Sequence, residues 1–183
     1  MYGIEPDIAV FGKAMSNGYP MAAIIGKEEV MQAAQKTFIS STYWTERIGP
    51  AAALATIRKM KKINLPQHLK KIGKMIGDGW KGAAKKHGLK INVIDPEALV
   101  TFSFDYGTDV QAIRTLFTQE MLARGFLASA SVYMSYAHKE NHVRKYLEAV
   151  DEVFGIIKNA INNKKILQLL KGPVAHSGFK RLT

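Results

Sequence analysis

Cysteine is absent from the 183-residue chain. That excludes a disulfide framework, a thiolate metal site and a cysteine nucleophile. Long apolar runs are missing too: no stretch approaches the roughly 20 residues of a membrane helix. Met1-Tyr2-Gly3-Ile4-Glu5-Pro6 has neither the basic start nor the apolar stretch of a secretory leader. A cytoplasmic protein with no membrane partner is therefore expected. There is no G-x-S-x-G nucleophile elbow. Acidic residues are scarce: 15 Asp and Glu stand against 26 Lys and Arg, a formal net charge of +11.

Hydrophobic residues make up 47% of the chain, enough for a packed core without cross-links. The length suits one ordinary domain, or a domain piece plus a small one. Much of the positive charge falls between Arg58 and Lys90, at Arg58, Lys59, Lys61, Lys62, Lys70, Lys71 and Lys74. These residues are spread along apparent helices, which reads as a solvated face. A nucleic-acid surface would need a recognition motif or interleaved aromatics, and neither accompanies the lysines. The rival reading is a basic, non-catalytic polyanion-binding module, whose binding would weaken steeply with salt.

The most informative stretch is Pro6 to Gly26. Ile8 to Phe11 reads as a buried strand, and Gly12 ends it. Lys13 follows at once, then a turn-rich segment with Gly18 and Pro20, then a second apolar run, Met21 to Ile25, closed by Gly26. Lysine is seldom found against a buried strand unless it is paired or chemically used. Desolvation favours its neutral amine, a nucleophile toward carbonyl compounds.

The succession Pro6-Asp7, Ile8 to Phe11, Gly12-Lys13, Asn17-Gly18 and Met21 to Gly26 resembles the cofactor-lysine motif of class III aminotransferases. These are PLP-dependent fold type I proteins that include glutamate-1-semialdehyde aminomutase. The resemblance implies that Lys13 forms the Schiff base with pyridoxal 5'-phosphate and later moves the substrate proton. In the family this motif follows a long N-terminal stretch that carries the phosphate-binding turn, the ring-stacking aromatic and the Asp paired with the ring nitrogen. No counterpart lies upstream of Lys13, so the chain is expected to be the C-terminal part of a longer enzyme. Asp7 belongs to the lysine motif and is not the ring partner.

Phe38 to Pro50 is polar and hydroxyl-rich and leads into an alanine-rich helix from about Pro50 to Met60. Hydroxyls and backbone N–H groups at a helix start suit an anion, and Pro suits the first turn. The family has a Thr five residues before a Pro here, which binds the cofactor phosphate of the neighbouring subunit. Counting back from Pro50 gives Thr45, with Thr42 as the second candidate and Ser41 the third. Glu46, Arg47 and Ile48 replace the family's glycines, and Gly49 its Asn. The resemblance thus implies a homodimer with shared sites, acting on a small-molecule amino donor and carbonyl acceptor.

Residues 27 to 36 read as a short helix with Val30, Met31 and Ala34 inward. Leu65 to His87 reads as a long helix with Leu69, Ile72, Ile76, Trp80 and Ala83 on one face. Its Gly77-Asp78-Gly79-Trp80-Lys81-Gly82 is formally G-x-G-x-x-G, but it follows a helical pattern rather than a strand and is not a dinucleotide site. Lys90 to Ile94 and Ala98 to Asp105 read as strands. Thr108 to Arg124 reads as a helix stopped by Gly125, Phe126 to Ser129 as a short strand, and Lys139 to Asn162 as a last long helix. His138 and His142 have metal-ligand spacing without a third ligand, and read as helix-start histidines. The tail from His176 reads as a loose terminus, in which Phe179 and Leu182 could dock on a partner.

The expected fold is α/β: the C-terminal part of the fold type I large domain over 1–62, a connecting helix over 63–88, and a small α+β domain over 89–183. The expected activity is that of a PLP-dependent aminotransferase or aminomutase.

Overall fold

The computed structural model describes residues 3–40, 42–94 and 98–178. The chain divides into two compact units, Met1–Leu65 and Pro66–Thr183.

In the first unit, β1 (Ile8–Phe11) pairs antiparallel with β2 (Ala23–Gly26), with Ile8 opposite Gly26 and Phe11 opposite Ala23. A short helix α1 (Glu28–Met31) continues as a 3-10 segment over Gln32–Lys36, with Val30, Met31 and Ala34 as its least exposed residues. After the loop comes α2 (Ile48–Lys62), with Pro50 in its first turn and Lys59, Lys61 and Lys62 in its last. Basic residues there complement the carbonyl end of the helix dipole. The strand pair departs from the expectation of a buried strand: Val10 is 70% exposed, and Ile8, Phe11, Ile24 and Ile25 are exposed as well. The pair forms a two-stranded sheet, and such a hairpin has too few neighbours to bury both faces of its apolar run.

The second unit holds the hydrophobic core. α3 (Leu65–His87) buries Ile72, Ile76, Trp80, Ala83 and Ala84, at the helical spacing the sequence shows. β3 (Ile91–Ile94), β4 (Leu99–Phe104) and β5 (Ser131–Tyr133) form an antiparallel sheet in the order β3-β4-β5. Val100, Phe102 and Phe104 are buried on one face of β4, at the period of two of a half-covered strand. α4 (Val110–Ala123) adds Ile113, Leu116, Phe117 and Met121 to the core. α5 (Glu140–Asn162) adds Val143, Val150, Val153, Phe154 and Ile157, and a short α6 (Ile166–Leu169) adds Ile166.

Aromatic rings knit these layers together. Phe102 lies edge-on to Trp80, Phe104 and Phe117, with centroids 4.7, 5.2 and 5.2 Å away. The Trp80 indole N–H donates to the Tyr146 hydroxyl at 3.0 Å, so the buried polar ends satisfy each other. Burial pushes the Tyr146 phenol pKa up, partly offset by that bond. At the far end of α3, Asp151 of α5 accepts from Lys86 at 2.5 Å and meets the His87 ring at 3.0 Å.

One expectation is corrected in this unit. Phe126 to Ser129 is not a strand, because the Phe126 N–H turns back to the Met121 carbonyl (3.0 Å) to close α4. The sheet is joined only afterwards, where Ala130 accepts from Phe102 N–H (2.9 Å) and Ser131–Tyr133 pairs with Leu99–Thr101. The residue before the tail is held: Ala175 N–H donates to the Thr115 hydroxyl, and Gln111 donates to the Ala175 carbonyl. Phe179 and Leu182 lie outside the described residues. Among the described residues, no helix is long and apolar enough to cross a membrane.

Candidate active site

Lys13 begins a 3-10 turn, Lys13–Ser16, directly after Gly12 and the end of β1. Its φ is +51°, in the left-handed region that costs an L-residue about 1–2 kcal/mol. Asn17 and Gly18 follow at φ +49° and +107°. The turn holds this geometry with bonds of its own: Met15 N–H to Gly12 O (3.1 Å), Asn17 N–H to Ala14 O (3.2 Å), and the Ser16 hydroxyl to Tyr19 O. Ser16 is 1% exposed and is the one buried polar or charged side chain among the described residues. Strain held in place by surrounding bonds is a mark of functional positions. The Lys13 side chain is exposed, and the described residues do not bury it.

α2 packs against this turn. The close approach is made at Gly49, where a Cβ would lie 2.9 Å from the Pro20 carbonyl oxygen and 3.2 Å from Met21 Cβ. Thr42 and Thr45 lie in the turn preceding α2, and both are exposed. Ser41 lies outside the described residues. The anion expected at the start of α2 is the chain's own: Glu46 accepts from the Ile48 N–H with one carboxylate oxygen and from the Gly49 N–H, at 2.8 Å, with the other. Sequence reasoning named Glu46 only as a departure. Its signal was available, since an acidic residue just before a Pro-marked helix start complements the dipole.

Within the first unit, then, the structure brings the lysine turn and the start of α2 together through Gly49, with the threonine loop running into that helix start. The histidine pair belongs to the second unit and to its architecture. His138 Nδ1 accepts from the Ser135 N–H (3.1 Å), and His142 Nδ1 accepts from the Lys139 N–H (3.4 Å) at the start of α5. Among the described residues no group of three His, Cys, Asp or Glu could hold a metal ion. The G-x-G-x-x-G lies inside α3, with Gly79 packed against Leu147.

Comparison with known proteins places this geometry. The chain is 28% identical over 166 residues to a 3-aminobutyryl-CoA aminotransferase from Cloacimonas acidaminovorans (strain Evry), covering 88% of this chain and 40% of that protein. It is 27% identical over 157 residues to an aminopentol aminotransferase from Sphingopyxis macrogoltabida, covering 85% and 37%. The chain thus spans about two fifths of the length of these relatives. Among solved structures, the FumI protein of Sphingopyxis sp. MTA144, in its PLP internal aldimine form, matches with a TM-score of 0.78 at 27% identity, over 87% of this chain and 39% of that one. A transaminase with PLP bound shares the fold with a TM-score of 0.76 at 19% identity, over 86% and 40%. The fold is thus that of part of a PLP-dependent transaminase, and PLP is the cofactor of the matching family. The family model described as aminotransferase class-III matches residues 1–161, and the chain belongs to that family.

Proposed function

We propose that this chain carries the lysine end of a PLP-dependent aminotransferase site, with Lys13 as its catalytic residue. One observation carries the reading: the Gly12-Lys13 turn after β1, with a lysine fixed at φ +51° in the place the family motif gives to the cofactor lysine. The residues present fit the cofactor. An exposed primary amine on a rigid turn suits its aldehyde, and the Thr45 and Thr42 hydroxyls are free of the secondary-structure ladder and suit its phosphate.

When bound, the cofactor supplies the electron sink for the substrate's α-carbon. The chain's own part is the Lys13 Nζ, which would hold the cofactor and, once released from it by the substrate amine, would take the substrate α-proton and deliver it to the cofactor's aldehyde carbon. The Gly12–Tyr19 bonds fix the backbone from which the Lys13 side chain leaves. Thr45, with Thr42 as the alternative, holds the phosphate. The substrate pair is a small-molecule amino donor and a carbonyl acceptor, and intramolecular transfer of the aminomutase kind uses the same amine. The threonine loop serves the site of a second copy, as the resemblance implies. Its exposed Phe38, Ile39, Tyr43 and Trp44 form the kind of apolar surface that a homodimer covers. Residues 1–62 are the end of the cofactor-binding large domain, 63–88 a connecting helix and 89–183 the small domain.

The test is borohydride reduction of the chain with PLP, followed by peptide mass mapping. One dominant adduct at Lys13 supports the reading. Labels scattered over surface lysines, both in this chain and in one extended at its N-terminus to its relatives' length, overturn it and favour a basic binding module.

A further inference from the structure

We propose that Glu46 is a positioning residue for the phosphate-holding loop, a device that replaces glycine flexibility with a carboxylate clamp. The inference rests on the reading above for the identity of the cofactor, but the clamp itself is read from contacts. Glu46 accepts from two consecutive N–H groups, Ile48 and Gly49, at the start of α2. Its own N–H donates to the Tyr43 carbonyl at 3.1 Å, closing a turn around Trp44 and Thr45. One residue therefore fixes both ends of a short link: the threonine turn on one side and the helix start on the other. Gly49, whose N–H it holds, is also where α2 meets the carbonyl of Pro20, just beyond the lysine turn. Glu46, Gly49, Tyr19, Pro20 and Tyr43 share one small cleft of about 210 Å³.

Two consequences follow from the chemistry. The first backbone donors of α2 are taken by a carboxylate, so they are not available to a phosphate. Phosphate contact from this loop then falls to threonine hydroxyls, whose positions depend on the Glu46 bonds. Losing such a cap loosens a helix start by an amount worth roughly a five- to tenfold change in an equilibrium. That is the size of effect expected on phosphate binding when the carboxylate is removed.

The experiment compares wild type, Glu46→Ala and Glu46→Gln, in the chain form that gives the Lys13 adduct, for binding of PLP and of pyridoxal, which lacks the phosphate. The expected result is that Glu46→Ala weakens PLP about five- to tenfold and leaves pyridoxal unchanged. Glu46→Gln, which keeps one acceptor oxygen, should fall between. A second readout needs no cofactor: the Ile48 and Gly49 amides should exchange with solvent faster in Glu46→Ala. Unchanged PLP affinity, equal weakening of PLP and pyridoxal, or unchanged exchange each overturn the proposal. Absence of any Lys13 adduct in wild type is a different result, which overturns the assignment of the cofactor and the clamp's role with it.

Discussion

Between residues 66 and 178 a core of aromatic and aliphatic side chains is sealed by four helices and a sheet. Before residue 66, Ala53 is the one buried hydrophobic residue among those described. The contrast is not one of composition, because the first unit is rich in Ala, Ile and Met. It is one of partners: the second unit's elements present their apolar faces to one another, whereas β1 and β2 pair only with each other and leave theirs open. The candidate chemistry lies on the poorly covered side. Lysine amine, threonine hydroxyls and strained turn all belong to the unit with the fewer buried residues among those described.

The chain's two tryptophans, Trp44 and Trp80, fall one in each unit and give the strongest way to break this comparison. Trp80 is 0% exposed, touches Phe102 and bonds Tyr146. Trp80→Ala should cost about 3–5 kcal/mol through the cavity it leaves and would strand the Tyr146 hydroxyl. Trp44 is 70% exposed, and Trp44→Ala should change stability by no more than about 0.5 kcal/mol. Chemical denaturation of the two variants measures both; similar losses would show that the units are not divided as described.

The glycines of α3 test the second unit's packing more finely. A Cβ at Gly79 would run into both Leu147 methyl groups, and would lie 2.9 Å from its Cγ. At Gly82 a Cβ would meet nothing within 4 Å. Gly79→Ala should therefore destabilise by about 1–2 kcal/mol, as overpacking does. Gly82→Ala should stabilise by up to about 1 kcal/mol from helix propensity alone. Melting temperatures that move in the same direction for both would reject the packing argument.

These cases show where the sequence was legible. α3, α4 and α5 bury apolar residues over many turns, and a 3.6-residue period sustained that long leaves little choice of element. Leu69, Ile72, Ile76, Trp80 and Ala83 are in or against the core for that reason. Short elements carry less information: Phe126 to Ser129 looks like a strand, but the closing of α4 uses its first N–H and moves the pairing to Ser131. The exposure of β1 was not readable at all, because an apolar run says that a strand wants cover and not whether the chain provides it. At the candidate site, the turn at Lys13 was legible from the punctuation of Gly12, Gly18 and Pro20, while the role given to Lys13 rests on the family resemblance. Ser16 and Gly49 were not legible, since their roles depend on which backbone atoms come near them after folding.

Lys13 itself offers a test on the sparsely packed side. Glycine adopts φ +51° without the steric penalty that lysine bears. Lys13→Gly should stabilise the first unit by about 1 kcal/mol in the cofactor-free chain, read by slower hydrogen exchange of the Met15 and Asn17 amides, while removing the candidate amine altogether. A variant that loses stability would mean that the lysine side chain has packing partners worth more than the strain.

The smallest effect should appear in acid, and on the well-packed side only. The hydrogen bond from Lys86 holds the Asp151 carboxyl below the usual range; burial opposes this and His87 adds to it. A carboxyl with a lowered folded pKa stabilises fully above its unfolded value of about 3.9, and that contribution is lost as pH falls through the folded value. The pair is partly exposed, so the contribution belongs with the weaker ion pairs, which screening reduces to a fraction of a kcal/mol. Wild type should thus lose part of its advantage over Asp151→Asn as pH drops from neutrality to below 4. The change should show in the Trp80 transition, because Asp151, Lys86 and His87 all lie with Trp80 in the second unit. An advantage that stays constant across this range would mean that the staple between α3 and α5 depends on shape rather than charge. The fit of His87 against Gly155, where a Cβ would come within 3.1 Å of the imidazole, would then be the stronger part of it.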